Sequence, residues 1–244
     1  MPLERTDAFI LQTKPFAEQD KLVTFFSHDK GIMRGIAKGA RKFGNRFGSA
    51  LEPMSLAKVF YYEKEGKDLV TISNSDLIES FFELQSDLRV SFSLSYFSEI
   101  IQEFLPLRQQ EEVVFRLLRS TLAALKSGGD VDLVSAYFEG WILRLSGFLP
   151  DFSTCMDCRR DIDGKAWLSH SQDGVCCGPC TPHKKFEVPE SMPPFIRWIK
   201  KNPPPNGSGP EPMNREGARE VRRILQNLLS FHLEREPRSL RYLK

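Results

Sequence analysis

The sequence predicts an α+β protein, in which an N-terminal five-stranded β-barrel is followed by an all-α helical domain that carries a four-cysteine insertion. Three observations predict this class. Short runs with a period of two fill residues 8–76, and amphipathic segments with a helical period follow from about residue 76. Two CxxC pairs then interrupt the helical pattern after Pro150. We therefore expect a barrel domain at 1–80 and a helical domain at 81–244, with the cysteine module at 151–186.

The barrel prediction rests on five β-like segments. They lie at residues 9–14, 22–27, 32–39, 56–62 and 69–73, and turn residues separate them. In the third segment Met33, Gly35, Ala37 and Gly39 form one parity, small enough for the tapering interior of a small barrel. A glycine-rich third strand among five fits a Greek-key barrel of the oligonucleotide-binding (OB) type, although another small barrel would fit the same pattern.

Residues 30–51 form a one-sided basic stretch. It contains no carboxylate and six cations, namely Lys30, Arg34, Lys38, Arg41, Lys42 and Arg46. Cations without neighbouring acids project a positive field that attracts a polyanion. Residues 41–49 are predicted to form a mobile loop in which Phe43 and Phe47 stack on bases. The stretch therefore predicts nucleic-acid contact, and the alternative is a solvated hairpin whose charges only maintain solubility.

The helical domain is predicted from five segments. They span residues 86–105, 111–126, 131–146, 193–201 and 215–233, with Pro106 ending the first and Asp130 or Asp132 capping the third. Residues 202–212 (NPPPNGSGPEP) predict a linker or exposed loop, and the C-terminal tail is predicted to be irregular. The last helix carries Arg215, Arg219, Arg222 and Arg223 on one side, which predicts a solvated, salt-bridged face or a second DNA-binding surface.

The strongest chemical motif is a cysteine quartet. Cys155 and Cys158 form one CxxC pair, and Cys177 and Cys180 form another. Two such pairs supply four thiolates that close a tetrahedral structural site, for which zinc is the expected metal. Cys176 leaves a shifted register open. The residues between Cys177 and Cys180 also match a thioredoxin active site, but the flanking strand–helix pattern of a thioredoxin is missing, so redox catalysis is the lesser alternative.

Composition narrows the function. The 244 residues carry a net charge of only +2, and they contain no run of about 18 apolar residues, so no transmembrane helix is expected. The N-terminus lacks a signal-peptide hydrophobic region, which favours the cytoplasm. The four histidines are scattered, and neither a phosphate-binding loop nor a dinucleotide fingerprint is present. We therefore expect a binding protein rather than an enzyme, with an adaptor for an acidic peptide as the alternative.

The order of these segments resembles the bacterial RecO family of recombination mediators. The resemblance rests on the following segments: EQDKLVT at 18–24, Gly31, AKGAR at 37–41, GSALEP at 48–53, YFSE at 96–99, and the cysteine quartet with Gly174. It spans nearly the whole chain. Asn45 departs from the serine that such proteins often have, and the proline-rich 202–212 segment is unusual. Some relatives lack the cysteines, so the resemblance does not make the quartet essential to function.

The resemblance implies an OB-fold domain, a helical domain and a zinc-binding module. It also implies binding of single- and double-stranded DNA, annealing of complementary strands, and cooperation with RecR and the single-strand-binding protein in loading RecA onto gapped DNA. Lys38 and Arg41 match the family motif as DNA contacts, and we add Arg34, Lys42 and Arg46 because of their charge and position. The implied location is the cytoplasm, in association with the nucleoid.

Overall fold

A computed structural model describes residues 2–181, 184–206 and 213–243. The chain divides into two compact units. The first unit comprises Met1–Arg116 together with Arg238–Lys244, and the second comprises Leu117–Pro237. The two units are defined by how compactly the chain is folded and do not test the domain boundary predicted at residue 80, which stays a prediction.

The first unit contains a closed five-stranded barrel. Its strands are β1 (Leu3–Phe16), β2 (Asp20–Ser27), β3 (Gly31–Ala37), β4 (Leu56–Tyr62) and β5 (Leu69–Glu79). The order around the barrel is β1-β2-β3-β5-β4, and β1 pairs with β4 to close it. The pairing of β3 with β5 is parallel, while the other neighbours are antiparallel. The predicted five-stranded barrel of OB type is thereby confirmed.

Strand β1 is longer than the sequence predicted. It begins at Leu3 rather than Phe9 because Leu3 pairs with Tyr62 and the pairing with β4 continues to Phe9. The charged residues Glu4, Arg5 and Asp7 concealed this half of the strand, since they interrupt the apolar pattern that marks a strand. The strand therefore serves two neighbours, β4 with its first half and β2 with its second half.

The barrel interior is filled by alternate residues of the strands. Met33 and Ala37 of β3 are buried there as expected, next to Phe25 and Tyr61. Gly35, between them, is required by packing: a Cβ at this position would lie 2.8 Å from side-chain carbons of Val70 and Ile72 on the parallel neighbour β5. The missing side chain therefore lets β3 and β5 approach closely.

The first unit also contains helical segments, among them the short 3-10 helix Phe82–Ser86. Helix α1 (Leu88–Phe104) confirms the helical interpretation of a segment that alternates like a strand at its start, and Asp87 caps it. Ser98 joins α1 to the barrel by donating a buried hydrogen bond to the main-chain oxygen of Leu11. The C-terminal tail was wrongly expected to be irregular: Arg238–Tyr242 is a 3-10 helix. Glu99 of α1 accepts main-chain hydrogen bonds from the first two residues of this 3-10 helix, each at 2.8 Å.

The second unit is mainly helical. Its first helix is most of α2 (Glu112–Lys126), since the division between the units falls at Leu117. Helices α3 (Val131–Leu145), α4 (Met192–Ile199) and α5 (Arg215–His232) follow. Asp130, one of the two predicted caps, accepts hydrogen bonds from the first turn of α3. A small sheet has the strand order β7-β6-β8 and consists of β6 (Ala166–Leu168), β7 (Val175–Cys177) and β8 (Glu187–Val188). Most of the predicted linker, residues 207–212, lies outside the described residues.

The basic side of α5 is salt-bridged, as one of the two alternatives predicted, but it is not solvated throughout, because Arg222 is buried. Arg222 is buried and pairs with Asp132 and Glu139 of α3, each at 3.1 Å. Arg219 also pairs with Asp132, at 3.0 Å, and Arg215 pairs with Asp130 at 3.2 Å. Amphipathic periodicity alone could not reveal this, because arginine on the edge of an apolar stripe looks the same whether it meets solvent or a carboxylate.

None of the helices in the described segments has the combination of length and apolar content that crossing a bilayer requires.

Candidate nucleic-acid interface and metal centre

The connection from β3 to β4 carries most of the predicted DNA contacts, and we call residues 38–51 the basic loop. Apolar residues attach this loop to the barrel. Ala40, Phe47 and Leu51 belong to the buried barrel core, although they lie outside the strands. The prediction that Phe47 stacks on bases is therefore wrong, because this ring fills the barrel interior. Phe43 and Phe47 both lie among basic residues and glycines in the sequence. Sequence pattern alone therefore could not distinguish the ring that points inward from the one that points outward.

Arg41 holds the start of the basic loop against the turn between β1 and β2. One of its guanidinium nitrogens donates to the main-chain oxygens of Ala17, at 3.3 Å, and Glu18, at 3.0 Å. The Arg41 main-chain N–H donates to the oxygen of Gln19 at 3.0 Å. Because an arginine has five N–H donors, the remaining donors of this exposed side chain stay available to a ligand.

Arg46 performs a similar attachment at the other side of the loop. Its Nε donates to the main-chain oxygen of Ser73 in β5. Its guanidinium group lies 4.7 Å from the centre of the Phe47 ring, in a cation–π arrangement. Arg41, Arg46 and the buried Phe47 thus attach the basic loop to the barrel. The sequence alone showed only that this loop is basic and rich in glycine.

The charges of the predicted site remain uncompensated after folding. Arg34, Lys38, Arg41, Lys42 and Arg46 are all exposed, and across residues 2–181, 184–206 and 213–243 none of them is ion-paired with a carboxylate. Lys30, the sixth cation of the stretch, differs. It pairs with Glu4 and with Glu63, and these carboxylates raise its pKa. The positive field expected from the sequence therefore comes from five of the six cations.

The tip of the basic loop is a hydrogen-bonded turn from Lys42 to Asn45. The main-chain N–H and the side-chain Nδ2 of Asn45 both donate to the oxygen of Lys42, at 3.2 and 3.1 Å. The Oδ1 of Asn45 accepts from the Phe47 N–H at 3.0 Å. Gly44 has φ +66°, a left-handed conformation that suits glycine. Asn45 thus closes the turn, and Phe43 occupies its outermost part, fully exposed.

The four predicted metal ligands meet in the second unit. The sulfur atoms of Cys155, Cys158, Cys177 and Cys180 all lie within 4.8 Å of one another. The sulfurs of Cys158 and Cys177 are 3.8 Å apart, which is about the edge of a tetrahedron with metal–sulfur bonds of about 2.3 Å. Each CxxC pair is held by a local turn, in which Arg159 donates to the Cys155 oxygen and Cys180 to the Cys177 oxygen. The donor set therefore fits a tetrahedral metal ion.

Local groups favour thiolate at the first pair. The Arg160 side chain, followed by its main-chain N–H, lowers the pKa of Cys158 to about 6. Burial disfavours the Cys155 thiolate, but three main-chain N–H donors outweigh it and lower the pKa of Cys155. In contrast, the neighbouring sulfurs of Cys177 and Cys158 raise the pKa of Cys180 to about 12. Four thiolates this close repel one another, and a bound cation is the group that would stabilise them together.

Cys176 stands apart from the quartet. Its sulfur donates to the carboxylate of Asp157, at 3.4 Å, and burial together with Asp157 raises its pKa to about 11. A buried thiol that keeps its proton is a poor metal ligand. The geometry thus groups Cys177, rather than Cys176, with the other three. Sequence spacing indicated this choice, but it gave no sign of the parts played by Asp157 and Arg160.

The fold and the two sites define a class: an OB-barrel protein with an exposed cationic loop and a separate four-cysteine cluster, in a mainly helical unit, that could hold a metal ion. Comparisons with known proteins agree. The family described as "Recombination protein O N terminal" matches residues 1–81, and "Recombination protein O C terminal" matches residues 85–241.

Similar proteins are found in several organisms under the name DNA repair protein RecO. The Koribacter versatilis protein is 32% identical over 234 residues, covering 96% of this chain and 95% of the relative. The Desulfatibacillum aliphaticivorans protein is 30% identical over 254 residues, covering 100% and 97%. The Pelotomaculum thermopropionicum protein is 28% identical over 249 residues, covering 100% and 94%. The chain belongs to the RecO family, and its function lies in DNA repair and recombination.

Proposed function

We propose that this protein is a recombination mediator that binds DNA without catalytic turnover. It binds single- and double-stranded DNA, anneals complementary strands, and assists the loading of RecA onto DNA coated by the single-strand-binding protein. RecR and the single-strand-binding protein are its proposed partners, and the nucleoid is its proposed location. The observation that carries the proposal is the set of five exposed cations on an OB-type barrel that form no ion pair with any carboxylate among the described residues.

The proposed mode of binding follows from how these cations are held. Lys38 and Lys42 have mobile ammonium groups, and Arg34 projects from the outer side of β3, so all three contact phosphate groups directly. Arg41 and Arg46 keep the loop on the barrel and offer their remaining donors. Phosphate contacts carry no base information, so this mode gives affinity for any sequence, as strand annealing requires.

The proposed role of the quartet is structural. Cys155, Cys158, Cys177 and Cys180 would hold Zn²⁺, which supplies a positive centre that joins the loop at residues 155–158 to strand β7 and the turn after it. A four-sulfur shell leaves no position for a reacting water, which supports a structural rather than a catalytic metal. The main-chain hydrogen bond from Met156 to Val175, at 2.8 Å, already joins the same two segments.

Fluorescence anisotropy with labelled single-stranded DNA over a salt series tests the proposal. The double variant Lys38→Ala/Lys42→Ala should reduce the slope of log affinity against log salt by about 1.4 units, since each phosphate contact on a single strand contributes about 0.7. The matched control, Lys200→Ala/Lys201→Ala, also removes two exposed positive charges and should leave the slope unchanged.

Absence of DNA binding by the wild-type protein at low salt would contradict the proposal and favour the peptide-binding adaptor. An unchanged slope in the Lys38/Lys42 variant would remove the basic loop from the DNA site. Reduction of insulin in the presence of a thiol would favour the redox alternative for the cysteines.

A further inference from the structure

Phe43 stands out among the 19 phenylalanines of the chain. Its exposure is 107% of the reference value, whereas Phe82, the next most exposed phenylalanine among the described residues, reaches 63%. A single exposed apolar residue is common on protein surfaces and indicates nothing by itself. The surroundings of Phe43 are what make it informative.

The first feature is the rigidity of the turn that carries the ring. Both ends of this turn are fixed, because Lys42 donates its main-chain N–H to the Gly39 oxygen and Asn45 makes three hydrogen bonds within the turn. The buried Phe47 follows immediately. The ring is therefore displayed by a preformed support, which reduces the conformational entropy lost when a ligand binds.

The second feature is the charge around the ring. In the sequence, Phe43 follows Arg41 and Lys42 and precedes Arg46, and all three cations are exposed. None of them is ion-paired in the described part of the chain. An apolar surface that served a protein partner would ordinarily lie among fewer like charges, because the core of such an interface is depleted of charged residues. An aromatic ring among phosphate-binding cations is the arrangement by which proteins hold single strands.

We propose that Phe43 stacks on an unpaired base and thereby makes the basic loop selective for single-stranded over double-stranded DNA. This inference rests on the proposed function, since the cations must first bring a strand to the loop. Bases in a duplex are already stacked on their neighbours, so the ring gains a base only where the strand is unpaired. Loss of one stacked base weakens binding by about tenfold, whatever the identity of the base.

The experiment compares wild type, Phe43→Ala, Phe43→Leu and Phe43→Trp on three labelled oligonucleotides: a single strand, the corresponding duplex, and a single strand whose central residues are abasic. Phe43→Ala should bind the single strand about tenfold more weakly and the duplex and the abasic strand with wild-type affinity. Phe43→Trp should retain wild-type affinity, and Phe43→Leu should lose most of it, because leucine is apolar but cannot stack. The salt slope should be the same in all variants, since no charge changes.

Wild-type affinity of Phe43→Ala for the single strand would overturn the inference and leave the proposed function intact. An equal loss on single strand and duplex, or full affinity in Phe43→Leu, would also overturn it. Failure of the wild-type protein to bind any of the three oligonucleotides would contradict the proposed function itself. The thermal-unfolding midpoint should be unchanged in every variant because the ring has no buried surface to lose.

Discussion

A guanidinium nitrogen of Arg41 donates a hydrogen bond to the main-chain oxygen of Glu18, 3.0 Å away. The side chain therefore connects the basic loop to the turn between β1 and β2 while it carries one of the uncompensated charges of the candidate interface.

Replacing Arg41 should loosen the loop as well as weaken DNA binding. Arg41→Ala removes the side-chain hydrogen bonds to Ala17 and Glu18, which at an exposed site stabilise the closed loop by about 1 kcal/mol. Amide hydrogen exchange in residues 38–51 should therefore accelerate by about fivefold. Lys42→Ala removes an equal charge without an anchor and should leave exchange unchanged, so equal exchange in the two variants would contradict the anchoring role.

Two glycine-to-alanine changes should have opposite effects on stability, because only one of the glycines lies where β3 and β5 approach closely. Gly35→Ala places a methyl group 2.8 Å from carbons of Val70 and Ile72 and should destabilise the protein by about 1–3 kcal/mol. Gly217→Ala in α5 meets only ordinary contacts, the nearest at 3.5 Å, and should be neutral or stabilise by about 0.5–1 kcal/mol. Thermal-unfolding midpoints measure both. A neutral Gly35→Ala would show that β5 moves away at little cost.

The buried ion pairs of α5 predict a large difference between two adjacent arginines. Arg222→Met removes the guanidinium that pairs with the buried carboxylates of Asp132 and Glu139, leaving Asp132 paired with Arg219, and should reduce the free energy of unfolding by about 3–5 kcal/mol. Arg223→Met, at an exposed neighbouring position, should change it by less than about 0.5 kcal/mol. Urea denaturation of the two variants measures this difference. Similar midpoints would show that the pairing of Arg222 with Asp132 and Glu139 contributes little net stability.

Removal of one sulfur should abolish metal binding, whereas removal of the nearby fifth thiol should not. Cys158→Ser breaks the four-sulfur shell, while Cys176→Ser replaces a protonated thiol that faces Asp157. Elemental analysis should find about one zinc per chain in wild type and in Cys176→Ser, and little in Cys158→Ser. Thiols that titrate freely in the native, metal-replete wild type would contradict a closed site.

The pH dependence of stability should carry a contribution from His232. Burial lowers the pKa of His232 below its ordinary value of about 6.5, and Asp173 opposes this in part. The unfolded chain therefore takes up the proton first as pH falls. The contribution of His232 to the free energy of unfolding is complete above about pH 6.5, and it is lost as the pH decreases through the lower pKa that His232 has in the folded state.

The variant His232→Phe isolates this effect because it keeps a ring stacked on Phe148, whose centre lies 4.1 Å from that of His232. Urea midpoints measured between pH 8 and pH 5 should fall more steeply in wild type than in the variant. Parallel curves would show that His232 titrates alike in both states.

Sequence reasoning predicted what depends on local pattern. The alternation of Met33, Gly35 and Ala37 identified β3 and its inward side, and the spacing of the cysteines identified which four of the five come together. It failed where the partner of a residue is distant in sequence. Phe43 and Phe47 look equivalent until the barrel interior exists to receive one of them, and Arg222 looks solvated until α3 supplies Asp132 and Glu139.

The same reason explains two errors of extent; β5 is also longer than predicted, since it spans Leu69–Glu79 rather than 69–73. The first half of β1 is defined by its pairing with β4, 47–59 residues later, rather than by its own apolar residues. The C-terminal 3-10 helix is held by Glu99, 139 and 140 positions earlier in the chain. Neither contact leaves a periodic signal in the local sequence.

The attachment of Arg238 and Ser239 to Glu99 has a consequence for biosynthesis. The barrel strands emerge early from the ribosome and pair with one another, but Arg238 and Ser239 follow Glu99 by 139 and 140 residues and can bond to it only once they are translated. The first unit therefore reaches its finished form only after Arg238–Lys244 has been translated. A chain that stalls before residue 238 would carry a paired barrel whose helix α1 lacks the 3-10 helix that its Glu99 binds.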